Sequence, residues 1–150
     1  MTTSPQDLKQ QGQALYSRGV NQALAGFQLI EEMLKTYIEM HFDFIRLLVN
    51  GRAHFEFRRE DYQEAALGRL TQVFSKLCSN GQLISDLRAV AKRRDFIAHR
   101  ALLKLYDAQI SPVEYTELMD ELREDMDRNS KLMKGILEET SKIHSSAPSP

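Results

Sequence analysis

The stretch VNQALAGFQLIEEMLKTYIEMHFDFIRLLVN, residues 20 to 50, decides the class of the fold. Val20, Leu24, Phe27, Ile30, Leu34, Ile38, Ile45 and Leu48 recur at steps of three, four or seven. That spacing lines one face of a single long helix, and no strand has such a period. Asn50-Gly51 reads as its stop, because both residues tolerate the left-handed conformation that ends helices. Upstream, Ser4-Pro5 supplies a capping side chain followed by proline at the first helical position. Gly19 and Gly26 lie inside the pattern. Each costs a helix about 1 kcal/mol relative to alanine, so each reads as a bend or a close helix contact.

Helical signals continue outward from this segment, and no stretch alternates convincingly at period two. Residues 51 to 60 (GRAHFEFRRE) form a connection rich in arginine and phenylalanine. A second helix is expected from Asp61, with Leu67, Leu70, Val73, Phe74 and Leu77 inward and a stop at Ser79-Asn80-Gly81. A third helical region spans about Gln82 to Tyr106, and Asp107 to Ile110 is a short link. Ser111-Pro112-Val113-Glu114 combines a cap, a proline at the first position and a glutamate placed to close a capping box. The fourth helix then carries Tyr115, Leu118, Leu122, Met126, Met133 and Ile136 or Leu137 inward. The expected fold is an all-α, up-and-down bundle of about four to five helices. One domain covers residues 1–150, with a disordered tail from about residue 144.

A chain of 150 residues with 42% hydrophobic and 27% charged residues suits one globular domain. No apolar run approaches the roughly 20 residues needed to span a bilayer. The start, MTTSPQDLKQQ, does not read as a secretory leader. Cys78 is the single cysteine, with no partner for a disulfide and none at metal-ligand spacing. The location these features suggest is the cytoplasm. The formal net charge of −1 argues against a general polyanion binder. Charge is nevertheless uneven: residues 88–104 hold six basic side chains against Asp95, and residues 114–127 hold seven acids against Arg123. The first region can attract phosphate, or the two can pair with each other, within the domain or across a dimer.

Within the basic region stands KRRDFIAHR, residues 92 to 100. At about 100° per residue, Ile84, Leu87, Val90, Ala91, Ile97, Ala98, Ala101, Leu102 and Leu105 share one arc. Arg94 falls near its middle, where an unpaired charge is costly. Arg88, Lys92, Asp95, His99 and Tyr106 line the neighbouring face, and Asp95 is four residues from His99, within reach on a helix. Plain structural readings stand beside a chemical one. Arg94 can pair with Glu31 or Glu32 of the first helix, Asp95 can cap a helix that restarts, and His99 can be an ordinary partly exposed polar residue.

Arg94-Asp95-Phe96-Ile97-Ala98-His99 resembles the signature of the HEPN superfamily, an arginine and a histidine with a short spacer, here four residues. The residue after the arginine is commonly polar in that family, and Asp95 agrees. The helical framework over roughly residues 8 to 140 agrees as well. The resemblance implies a metal-independent endoribonuclease, toxin-like or defence-like, working as a homodimer with a composite cleft and needing no cofactor. It implies Arg94, Asp95 and His99 as catalytic residues, with Lys92, Arg93 and Arg100 drawing in the RNA backbone. His99 would exchange protons, Arg94 would hold the scissile phosphate, and Asp95 would orient His99. On an ideal helix Arg94 and His99 lie about 140° apart, so a bend or a second subunit has to aim both at one phosphate. The position two residues after the histidine, a tyrosine in many active members, is Ala101. The alternative implied role is a non-catalytic helical dimer that binds a protein partner, such as an antitoxin or a regulatory factor.

No rival chemistry is written in the chain. It has no glycine-rich phosphate loop, no His-Glu-x-x-His and no serine in a nucleophile setting. His41, His54 and His144 have no ligand-like spacing, so no metal site is expected. Arg52, Arg58 and Arg59 with Phe55 and Phe57 could grip single-stranded RNA, but packing of both phenylalanines beneath the loop is the stronger expectation.

Overall fold

The computed structural model describes residues 4–146. Four α-helices make up the fold: α1 (Pro5–Val49), α2 (Leu67–Leu77), α3 (Gly81–Phe96) and α4 (Pro112–Ser145). There is no strand among the described residues, and the all-α bundle expected from periodicity is the observed architecture. Ser4 and Ser111 each accept a hydrogen bond from the backbone three residues on. Asp7 and Glu114 answer with the reciprocal bonds, so both long helices open on a complete capping box. The chain leaves α1 through Gly51, whose φ of 76° suits a residue without Cβ.

Two boundaries differ from the sequence reading. Residues 59–62 form only a 3₁₀ turn, and α2 begins at Leu67 rather than Asp61. The intervening polar residues lack an apolar face to bury, so propensity alone does not extend the helix. At the other end α4 runs to Ser145, past the expected start of the tail. Residues 147–150 of that tail lie outside the described residues.

The spine of the fold is the contact between α1 and α4. Gly12, Gly19 and Gly26 face Tyr115, Leu122 and Asn129 in turn. Partners advance together by seven residues on each helix, so the two helices run parallel. A Cβ at Gly19 would lie 3.0 Å from Leu122 Cδ1, and one at Gly26 2.9 Å from Asn129 Nδ2. These glycines therefore mark a close helix contact rather than a bend. Around the seam Val20, Phe27, Ile30, Leu34 and Ile38 of α1 pack with Tyr115, Leu122, Leu132 and Ile136 of α4, all buried. Fully burying side chains of this size is worth about 1.5–3 kcal/mol each before the entropy of ordering them.

Helix α3 runs antiparallel to α4. Asn80 at its start donates to Glu139, and Arg93 near its end donates to Asp125, so sequence numbers fall on one helix as they rise on the other. Helix α2 packs on the C-terminal half of α1, with Phe74 against Tyr37 at 4.6 Å between ring centroids. The 51–66 connection folds beneath itself: Phe42 meets Phe55 at 5.4 Å and Phe57 at 4.6 Å, and Phe57 meets Tyr62 at 5.5 Å. Packing is what these phenylalanines do in this chain, as expected. No helix among the described residues is long and apolar enough to cross a membrane.

Candidate functional site

The third helical region is not one continuous α-helix. After Phe96 the chain widens into a π turn over Ile97–Ala101 and then tightens into a 3₁₀ turn over Leu102–Tyr106. The apolar contacts explain the break. Ile97 and Ala101 are buried, and the Tyr16 hydroxyl donates to the Ala101 carbonyl at 3.0 Å. Gln13 donates to Leu105 O, Lys9 to Ala108 O and Tyr115 to Lys104 O. Together these bonds draw the segment onto the first turns of α1 and the start of α4. The local sequence carries no glycine or proline that would announce the change of pitch.

The π turn begins three residues after Arg94 and contains His99. Its hydrogen bonds join residues five apart instead of four, so each residue turns less than 100°. The angle between these two side chains therefore falls below the 140° of an ideal helix. The change of pitch begins within the Arg94–His99 segment and continues to Ala101.

Arg94 is half-buried, and its Nε lies 3.6 Å from Glu31 Oε1 of α1. Its Nη1 is 3.4 Å from Asp95 Oδ1. Of the two acids weighed as partners on α1, Glu31 is the one in reach, while Glu32 pairs with Lys35 at 2.7 Å and Arg59 at 3.5 Å. Glu31 Oε1 is buried with no hydrogen-bond donor, so the ion pair with Arg94 is its main compensation. Asp95 has Arg94 as its partner and makes no hydrogen bond or ion pair with His99. His99 is exposed, as are Lys92 and Arg100, and none of the three has an ion pair among the described residues.

Arg93 behaves differently from the other basic residues. Its Nε donates to both oxygens of Asp125, at 2.9 and 3.1 Å, and its Nη2 donates to Glu121 at 3.2 Å. The guanidinium also lies 5.1 Å from the centre of the Phe96 ring. Burial works against its charge, but Asp125 and then Glu121 outweigh burial and raise the Arg93 pKa. Arg93 is thus a clasp between α3 and α4 rather than a free cation for RNA. The basic and acidic regions of the sequence do pair within the domain, among the described residues through Arg93 with Glu121 and Asp125.

Sequence reasoning missed Asp125, although the signal was present. Tyr115, Leu118, Leu122, Asp125, Asn129, Leu132, Ile136 and Glu139 continue one stripe at alternating steps of three and four. Selecting only apolar residues moves the eye to Met126 and Met133 and off the stripe. Asp125 and Asn129 are each 2% exposed, and the Asn129 amide has no hydrogen-bond partner.

The remaining histidines are separate from this site. His54 is exposed in the connection beside Glu56. His41 stacks on Tyr37 in a recess with Cys78, Glu139 and Lys142, and burial lowers its pKa. Burial, together with Glu139, pushes the Cys78 thiol up, away from the reactive thiolate. No three His, Cys, Asp or Glu side chains are grouped to hold a metal ion among the described residues. No family model, curated protein or solved structure matches the chain.

Proposed function

We propose that this protein is a metal-independent endoribonuclease of the HEPN type, acting in the cytoplasm as a toxin or defence factor. The observation that carries this reading is the π turn that begins inside Arg94–His99 and narrows the angle between the two side chains on an accessible segment. Arg94 would bind the scissile phosphate and the charge that builds up on it. His99 would take the proton from the RNA 2′-hydroxyl as its oxygen bonds to phosphorus. The bond from phosphorus to the 5′-oxygen then breaks, and that oxygen receives a proton. The products are a 2′,3′-cyclic phosphate and a 5′-hydroxyl, which needs no metal and no cofactor. Lys92 and Arg100, with no ion pair among the described residues, would attract the RNA backbone. Arg93 takes no such part.

A homodimer fits this site. Leu102, Leu103 and Tyr106 follow the motif directly, and all three are exposed, Tyr106 at 86%. Burying this run against a second copy would place two motifs beside one cleft. The decisive experiment incubates purified protein with RNA in EDTA. Cleavage with cyclic phosphate ends, lost in both Arg94→Ala and His99→Ala, is expected. Equal cleavage by the His99→Ala protein removes the proposal.

A second reading, a non-catalytic dimer that binds an antitoxin or regulatory protein, is favoured by a specific contact. Glu31 and Asp95 both reach Arg94, so its charge is already answered within the chain. In that case RNA stays intact under every condition, and Arg94→Ala costs folding or dimerisation instead.

A further inference from the structure

Among the described residues, side-chain hydrogen bonds join α3 and α4 near the two ends of α3. Asn80 meets Glu139, with Leu83 against Gly135 beside them, and about three turns of α3 separate this end from Arg93, which meets Asp125. Between these clasps the helices stand apart over a cleft of about 530 Å³. That volume lies within the roughly 300–1,000 Å³ of small-molecule sites. The floor is apolar, formed by Leu83, Val90 and Leu132, and Gly135 adds no side chain to fill it. Lys131 and Arg128 stand at the mouth.

The charges at the mouth differ in what they are free to do. Arg128 is shared with Glu124 at 3.3 Å and Asp125 at 3.6 Å. Arg93, at the inner end, is held by Asp125 and Glu121. Lys131 has no carboxylate in reach among the described residues, and Asp86, the one acid lining the cleft, accepts from Gln82. The cleft therefore offers an apolar floor beside one uncommitted ammonium and a net positive lining.

We propose that the α3–α4 cleft binds a small amphiphilic carboxylate, its apolar body on Leu83, Val90 and Leu132 and its carboxylate on Lys131. This site is separate from the Arg94–His99 segment and does not depend on ribonuclease activity. An apolar ligand without charge would leave Lys131 unused, and a cationic one would be repelled by it.

Octanoate, below its micelle concentration, is the probe. In ¹H–¹⁵N spectra of the labelled full chain, saturable shifts centred on Leu83, Val90, Lys131 and Leu132 are expected. The expected dissociation constant is below about 1 mM. Lys131→Glu should weaken binding about tenfold or more through charge reversal at an exposed position. Ala89→Trp should block the cleft and abolish binding, while dispersed spectra report that each variant is folded. Shifts that do not saturate, equal binding of octyltrimethylammonium, equal binding of acetate at the same residues, or an unchanged affinity in Lys131→Glu would each overturn the assignment.

Discussion

Helix α4 has two neighbours, and it meets them by opposite means. Against α1 it packs in parallel over a row of glycines, with aliphatic and aromatic side chains closed on both sides. Against α3 it is held at two points, Asn80–Glu139 and the Arg93–Asp125–Glu121 clasp, and stands open between them. The first contact stabilises by area removed from water and is insensitive to charge. The second stabilises by a few directed bonds, which fix register without filling space. A bundle built this way keeps one rigid pair of helices and presents a third, with the Arg94–His99 segment at its end, on a looser mounting. The difference teaches where variation in this fold is tolerated.

The sharpest way to break the comparison is at the seam. Gly26→Val places side-chain atoms where Asn129 already stands, and overpacking of that kind should cost about 3 kcal/mol. A urea unfolding midpoint equal to that of the unaltered protein would mean that the seam is softer than its distances say. Asp125→Ala comes next. Removing one partner of a fully buried pair costs about 3–5 kcal/mol, but the Arg93 side chain is 25% exposed and stays partly hydrated. A loss of about 2 kcal/mol is therefore expected. Amide exchange should quicken most in α3 and the turns that follow it, while the α1–α4 seam keeps its protection.

Smaller effects sharpen the picture. Burial lowers the His41 pKa, so the unfolded chain binds that proton more readily than the folded one. Stability accordingly falls as pH drops from 7 through the ordinary histidine range, and levels off below the lowered folded value. Glu139 in the same recess is held below its usual range first by its hydrogen bond from Lys142. Its contribution is lost only as pH falls through that lowered value, below the histidine window. His41→Phe should flatten the dependence between pH 7 and 5, measured by thermal melts at each pH. The smallest expected effect is that of His99→Ala on stability: an exposed side chain with no ion pair should leave the unfolding midpoint unchanged. If cleavage is lost with the midpoint intact, the histidine serves chemistry and not the fold.

Much of this architecture was legible in residues 20 to 50 and in Ser111-Pro112-Val113-Glu114, because periodicity and capping are local properties. The expected burial of Phe27, Leu34, Leu70, Phe74, Leu87 and Ile136 is observed for the same reason. Leu48 and Leu137 fit the helical spacing and yet are exposed, since no neighbouring element reaches them. Among the candidate site residues, the wheel set Lys92 and His99 on the face beside the apolar arc, and both are exposed, as is Arg100. The engagement of Arg93 did not. Its partners lie 28 and 32 residues away on another helix, and nothing in the local pattern ranks it apart from Lys92 or Arg94.

By itself the sequence determined that this protein is helical, where its two long helices start, and which short segment carries an arginine, an aspartate and a histidine within six residues. Those features depend on interactions within a few residues, which the order of side chains specifies directly. Only the tertiary structure decided that α1 and α4 run parallel over glycines, that Arg93 is a clasp, and that a π turn begins after Phe96 and takes in His99. Each of these depends on contacts between distant segments. The buried Ile97 and Ala101 and the Tyr16 hydrogen bond change the helical pitch, and their combined pull outweighs the local preference for a regular α-helix.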